Sequence, residues 1–421
     1  MHPMEIDAPR REAQGGEGPG GEAPGSETRR GKSLTRLIEA DAEILSAQLK
    51  ELRARAFPPT SAKELRKFTS GEAAKLIGVS DAYIRHLSLA GEAPEAEKTS
   101  RGRRLFSLDQ IHELRRTLAR SKPAYSPVRR AGEHLQVIAV TNFKGGSGKT
   151  TTAAHVAQYF ALRGYRTLAI DLDPQASLSA LFGLQPEFDL EENETLYGAI
   201  RYDEARRPLS EVIRSTYFPG LDIVPGNLEL QDFEHDTPRV LAQSASASDR
   251  MFFSRVATAL QTVEADYDVV ILDCPPSLGF LTLSALCAAR SVLVTVHPQM
   301  LDVASMSQFL HMTADLLDVV EQAGGDADYD FFRYVITRFE PTDGPQAQIV
   351  GLMRSLFGSR VLTTPMLKST AISDAGLTKQ TLYEIARENF IRATYDRAIE
   401  SLDGLNGEIE ALVREAWGRA G

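Results

Sequence analysis

The stretch that decides the fold is residues 137–152, Val-Ile-Ala-Val-Thr-Asn-Phe-Lys-Gly-Gly-Ser-Gly-Lys-Thr-Thr-Thr. A short apolar run reads as a strand, the glycines as a turn, and the residues from Lys149 onward as the start of a helix. Gly145, Gly146 and Gly148 let backbone N–H groups curl around phosphate oxygens without Cβ clashes, and the helix start adds its positive dipole end. Lys149 supplies a mobile cation for the terminal phosphates, and the Thr150 hydroxyl is placed for Mg²⁺. Ser147 and Thr151 complete the expected nucleotide lining. The loop suits the triphosphate tail of ATP. It departs from the ordinary pattern at Phe143, where glycine is usual, and at Lys144, an additional lysine directly before the glycines.

Working outward, apolar runs over 167–170, 269–272, 292–296 and 334–336 alternate with helical stretches. Continuous apolar runs suit strands buried on both faces, so the chain is predicted to be α/β with a mostly parallel sheet covered by helices. Two of these strands end in acids. Asp171 and Asp173 follow one, in Asp-Leu-Asp-Pro-Gln, and Asp273 closes another, in Asp-Cys-Pro-Pro. The carboxyl ends of the strands are where open α/β sheets place ligands. A strand-terminal Asp can also be a plain helix cap, but three of them accompany one phosphate loop. Asp273 is expected to hold the Mg²⁺ water shell, with Thr150 beside it.

Composition narrows the class further. The 421 residues are 43% hydrophobic and 25% charged, with a net charge of −10, which opposes general adhesion to nucleic acid. Two cysteines, Cys274 and Cys287, are too few for a disulfide framework and suit a reducing cytoplasm. No apolar run is long enough to span a bilayer, so a membrane role is not expected. Residues 1–32 carry Gly and Pro and few apolar side chains, the composition of a disordered tail. Over 33–60, Ile38, Leu45 and Leu52 repeat at sevens with Ala42, Leu49 and Ala56 between them, an amphipathic helix stopped by Pro58 and Pro59. It either packs on its own chain or dimerises.

Residues 65–125 are expected to form a small helical domain of winged helix-turn-helix type. Thr69 with Glu72, and Ser107 with Gln110, are spaced as capping boxes, and Ser80 caps the helix between them. Ala74, Gly78 and Ile84 stand at the small-residue, turn and apolar positions of two crossed helices. Tyr83, Arg85 and His86 then face a DNA groove, and Arg101, Arg103 and Arg104 mark a basic wing. From Lys98 to Arg130 there are ten Lys or Arg against two acids, a local net charge of +8. The ATPase domain is expected over 130–421, ending in a helix whose Leu402, Leu405, Ile409, Leu412 and Val413 form a core stripe.

The loop KGGSGKT, with DLDPQ and DCPP in that order, resembles the deviant Walker P-loop ATPases of the ParA and MinD group. The segments VPGNLEL, TVHPQMLDVASMSQFL, TRFEP and KSTAISDAG are similar to the RepA branch of the ParA class, carried by repABC plasmids. The resemblance implies a slow ATPase and an ATP-bound sandwich homodimer. Lys144 would be the signature lysine reaching the partner's phosphate, Asp173 would act on the attacking water, and Asp171 would support Thr150 and Asp273 at the Mg²⁺. It also implies plasmid partition with a ParB-like (RepB-like) centromere-binding protein, operator binding with autoregulation, non-specific DNA binding and a nucleoid location. Lys368 and Lys379 lie in the region where ParA-like ATPases carry basic residues for non-specific DNA. A MinD-like spatial regulator is the alternative.

Overall fold

The computed structural model describes residues 34–56, 63–100, 102–243, 251–325 and 328–419. The tail assigned to 1–32 and the wing residue Arg101 lie outside the described residues. Two units are distinguished, divided after Ser61. The first contains one described helix, α1 (Leu34–Ala56). Along it Ile38 and Leu45 are 59% and 60% exposed, so the heptad stripe is turned to solvent. The side chains of Leu49, Leu52 and Ala56 are not among those described.

In the second unit, β1 (Phe68–Thr69) leads into α2 (Ser70–Ile77) and α3 (Asp81–Ala90). Thr69 and Glu72 form the reciprocal capping box, and the Ser80 hydroxyl accepts from the Tyr83 N–H. Gly78 sits at φ 85°, the left-handed region only glycine enters freely, and its N–H closes α2 on the Ala74 carbonyl. Ala74 and Ile84 are buried between the helices. β2 (Glu97–Lys98) and β3 (Arg104–Phe106) come next, then α4 (Leu108–Ser121), capped by Ser107 and Gln110. β1, β3 and β2 form a small antiparallel sheet, where the sequence predicts helices and a hairpin tip. This segment is continuous with the larger domain: Phe68, Ile84 and Ile111 share one apolar core with Phe160 and Tyr165.

The main sheet holds β4 (Gln136–Thr141), β5 (Thr167–Asp171), β6 (Arg214–Ser215), β7 (Leu221–Val224), β8 (Val269–Asp273), β9 (Ser291–Val296) and β10 (Phe331–Ile336). Their order is β10-β9-β4-β8-β5-β7-β6, parallel throughout except for the edge pair β6–β7. Every residue of β4, β5, β8 and β9 is buried, as helices on both faces require. The sequence reading missed β6, the two-residue edge strand, and β7, which pairs between β5 and β6. The final helix, Arg392–Ala416, buries Leu402, Leu405, Ile409 and Val413 completely, with Leu412 half-buried against the same core.

One carboxylate ties the linker to the sheet. Asp268, fully buried just before β8, accepts the backbone N–H of Arg129 at 3.0 Å and of Arg166 at 2.8 Å, and pairs with the Arg166 guanidinium at 2.7 Å. Asp268→Ala leaves two backbone N–H groups and the Arg166 guanidinium without their acceptor and is expected to cost roughly 2–3 kcal/mol in urea unfolding. Asp268→Asn retains one acceptor and should cost less. A loss under about 0.5 kcal/mol for the alanine variant would show that the staple carries no stability.

Candidate active site

Parallel strands bring their carboxyl ends to one edge, so the loop after β4 and the acids ending β5 and β8 meet there. Asp171 and Asp273 are register partners across β5 and β8. The loop feeds α5 (Lys149–Arg163), with Gly148 at φ 88° and its α-carbon close against Thr337. A Cβ at Gly148 would come within 3.3 Å of the Thr337 side chain, whose hydroxyl donates to the Ser147 carbonyl at 2.7 Å. The glycine is therefore required twice, by its φ and by its neighbour.

A cleft of about 520 Å³ opens here. Its wall includes Gly145, Gly146, Gly148, Lys149, Thr150 and Thr151, together with Asp173 from the β5 loop. Ser147 is buried beneath, its hydroxyl 3.0 Å from that of Thr295. Lys149 is 6% exposed, and its ammonium donates to the Lys144 carbonyl at 3.2 Å. Burial lowers its pKa, an effect opposed by the charge of Asp273.

The three acids differ in what they touch. Asp171 is committed within the protein: Oδ2 accepts the N–H and hydroxyl of Ser179, both at 2.8 Å, and Oδ1 accepts the Asp173 N–H at 3.2 Å. Asp173 is half-buried, with Oδ1 accepting the Gln175 N–H at 3.0 Å. Asp273 is fully buried, and neither carboxylate oxygen has a hydrogen bond of good geometry, the Thr150 hydroxyl being the side chain placed nearest to supply one. Burial and then the neighbouring Asp171 raise its pKa, while Thr150 and Lys149 oppose the rise.

An orphaned buried carboxylate beside a lysine and a threonine is what a hydrated Mg²⁺ on a nucleotide would complete. Among the described residues no three carboxylate, His or Cys side chains converge as a metal cage. Magnesium needs none, because it binds through one or two carboxylates plus phosphate oxygens and water. Thr150 and Asp273 fit that role. Asp171 fits as the anchor that shapes the Asp173 loop.

Lys144 is elsewhere. Its ammonium pairs with Asp302, on the helix Met300–Gln322, and Asp302 also lies 3.3 Å from His297. It does not line the cleft of its own chain. Phe143, where glycine is the norm, stacks on Phe309 of the same helix with ring centroids 5.3 Å apart.

Three further residues bear on the site. Arg338 lines the cleft and donates to the Gly146 carbonyl at 3.0 Å from a left-handed backbone at φ 52°, a costly conformation for arginine. Gly226 backs the acidic loop, where a Cβ would meet the Asp171 carbonyl at 2.8 Å. Lys368, a candidate for non-specific DNA, lines the cleft and pairs with Glu340 at 2.8 Å. Lys379 instead lends its carbonyl to the Lys63 ammonium. Arg338 and Gly226 belong to TRFEP and VPGNLEL, but no local spacing in either segment points to the cleft. In the amino-terminal module Tyr83, Arg85, His86 and Arg103 are exposed and Arg104 is half-buried, while Arg85 pairs with Asp81 one turn earlier.

The fold and cleft define a P-loop nucleotide-binding protein. A family profile described as an AAA domain matches residues 135–323. The chain is 56% identical to a replication protein A of Rhizobium rhizogenes over 92% of its length and 96% of that protein's. It is 30% identical to SopA of Escherichia coli K12, covering 85% of this chain and 92% of SopA. A solved partition protein superposes with a TM-score of 0.58 at 21% identity, over 88% of this chain and 99% of that one. The chain belongs to the ParA family of plasmid partition ATPases, in the branch of the replication A proteins of repABC plasmids.

Proposed function

We propose that this chain is an ATP-switched partition motor that dimerises on ATP, binds DNA in that state and represses its own operon through its amino-terminal module. The observation that carries the nucleotide half is the Asp273 carboxylate, buried and unpartnered beside Lys149 and Thr150. Magnesium, when bound, neutralises charge on the terminal phosphates. Lys149 and the loop N–H groups would hold those phosphates, and Thr150 and Asp273 would hold the metal through its water shell. Asp173 holds the attacking water and accepts its proton, while Asp171 fixes the Asp173 loop. With so few groups committed to chemistry, hydrolysis is slow and open to stimulation by a ParB-like partner.

The Lys144–Asp302 pair supports a switch. In one chain the lysine is satisfied in cis, and the partner's terminal phosphate competes for it across a two-fold interface. The exposed stripe of α1 is suited to a looser dimer that persists between ATP states. A MinD-like role is less favoured, because the carboxyl-terminal helix spends its apolar face on the core and leaves no free stripe for lipid. Among the described residues no helix is long and apolar enough to cross a membrane.

DNA reading is assigned to α3, whose exposed Arg85 and His86 lie opposite buried Ile84 and Leu87, with Tyr83 at the margin of the exposed face. Arg103 and Arg104 on the following hairpin suit phosphate contacts. Arg85→Ala is expected to weaken operator binding roughly tenfold or more, as loss of one base-edge contact does, while binding to unrelated DNA falls far less. Electrophoretic titration on both DNAs at one salt concentration tests this, and equal losses on the two would refute base reading by α3.

A further inference from the structure

A second cavity, of about 310 Å³, lies where the amino-terminal module meets α5 and the carboxyl-terminal helix, and it shares no lining residue with the nucleotide cleft. Its wall holds five arginines, Arg115, Arg130, Arg163, Arg414 and Arg419, against a single carboxylate, Glu410. Among the described residues two of the five, Arg163 and Arg419, form ion pairs. Arg419 is neutralised by Glu133, at 2.7 and 2.5 Å. Glu410 is shared among Arg163 at 3.3 Å and the hydroxyls of Tyr165 at 2.9 Å and Tyr159 at 3.2 Å.

Arg115 is the unusual member. It is 6% exposed, and its partners are the carbonyls of Leu76 and of Tyr125, not a carboxylate. Its Nε has no hydrogen-bond partner, and neither does that of Arg414. Burial, and then the nearby Arg163, depress the Arg115 pKa to about 10, so it still carries its charge at neutral pH. Burying a guanidinium with no carboxylate bonded to it, only the field of Glu410, is costly, and guanidinium forks match phosphate oxygens in shape and charge.

We propose that this cavity binds a small phosphate-bearing anion, inorganic phosphate or a phosphomonoester, held between Arg115, Arg163 and Arg414. The volume equals roughly ten waters, enough for one phosphate and a sugar-sized group. Arg115 and Arg163 both donate to the Leu76 carbonyl in the last turn of α2, and α5 runs about 22 Å from this cavity to the phosphate loop. The anion therefore occupies the joint between the DNA-reading module and the ATPase.

The test is calorimetry on the full chain, with the nucleotide cleft first saturated by a non-hydrolysable ATP analogue and Mg²⁺. Inorganic phosphate and ribose 5-phosphate are titrated separately at constant ionic strength. One site per chain is expected, weakened at least tenfold by Arg414→Gln, which removes a cation lacking a carboxylate and leaves both Leu76 bonds in place. Arg115→Lys keeps the charge, loses the fork and should weaken binding similarly while the ATP analogue still binds. Tighter phosphate identifies the free ion as the ligand, and tighter ribose 5-phosphate identifies the ester. No binding of either by the parent up to about 10 mM, or equal binding by Arg414→Gln, overturns the proposal. The two sites share no residue, so failure here would leave the nucleotide reading intact, and failure to load the ATP analogue would count against that reading alone.

Discussion

Lys149→Ala is expected to abolish measurable nucleotide binding. The side chain is buried at the floor of the cleft, with one backbone carbonyl as its acceptor and the Asp273 carboxylate as its nearest opposing charge. Two charge-assisted contacts to the terminal phosphates are lost together, about 3–6 kcal/mol, or roughly 10²- to 10⁴-fold in affinity. The alanine also leaves Asp273 facing the bound phosphates with less compensation, which adds to the loss. Calorimetry with a non-hydrolysable ATP analogue measures the effect, and thermal melting without nucleotide checks that the fold survives. An affinity within about threefold of the parent would mean that the loop does not hold the phosphates.

Asp173→Ala is expected to leave that affinity nearly unchanged while cutting turnover by about 10²-fold or more, the scale of a lost general base. The expectation rests on the contrast between the two acids of one loop. Asp171 is buried and holds Ser179 with both a backbone and a hydroxyl bond, so its removal should disturb the loop and the fold. Asp173 is half-buried, lines the cleft and receives only a local N–H from Gln175, so its removal should cost little structure. Steady-state phosphate release beside analogue affinity separates the two effects. Parent-like turnover in the variant would assign the water to another group.

Where the sequence was legible, the determining interactions were local or periodic. The phosphate loop, the capping residues Thr69, Ser80 and Ser107, the left-handed Gly78 and five buried strands are each set by residues within a few positions of one another. Strand-terminal Asp171 and Asp273 were legible because parallel strands must deliver their ends to one edge. What escaped depends on distant partners. Lys144 meets Asp302 across 158 positions, and Arg338 meets Gly146 across 192, with no period to connect them. β7 escaped for a different reason: Asp222 breaks the apolar run of Leu221–Val224, which Pro225 and Gly226 end at the back of the acidic loop. The Arg115 cavity was hidden as well, since its arginines come from α4, the linker, α5, the last helix and the residues just after it.

In the proposed switch, Lys144, paired with Asp302 within its own chain, would be transferred to the partner's nucleotide when ATP closes a dimer. Mass alone does not test this, because on the proposed reading α1 would hold two chains together in either state. Closure does. A fluorophore pair across the two-fold interface, placed in the Asp173→Ala background to prevent turnover, should report ATP-dependent approach that ADP does not produce. Lys144→Ala in the same background should abolish that approach while still binding ATP. If ATP closes the Lys144→Ala protein as fully as its parent, the lysine does not cross the interface and the proposed switch is wrong.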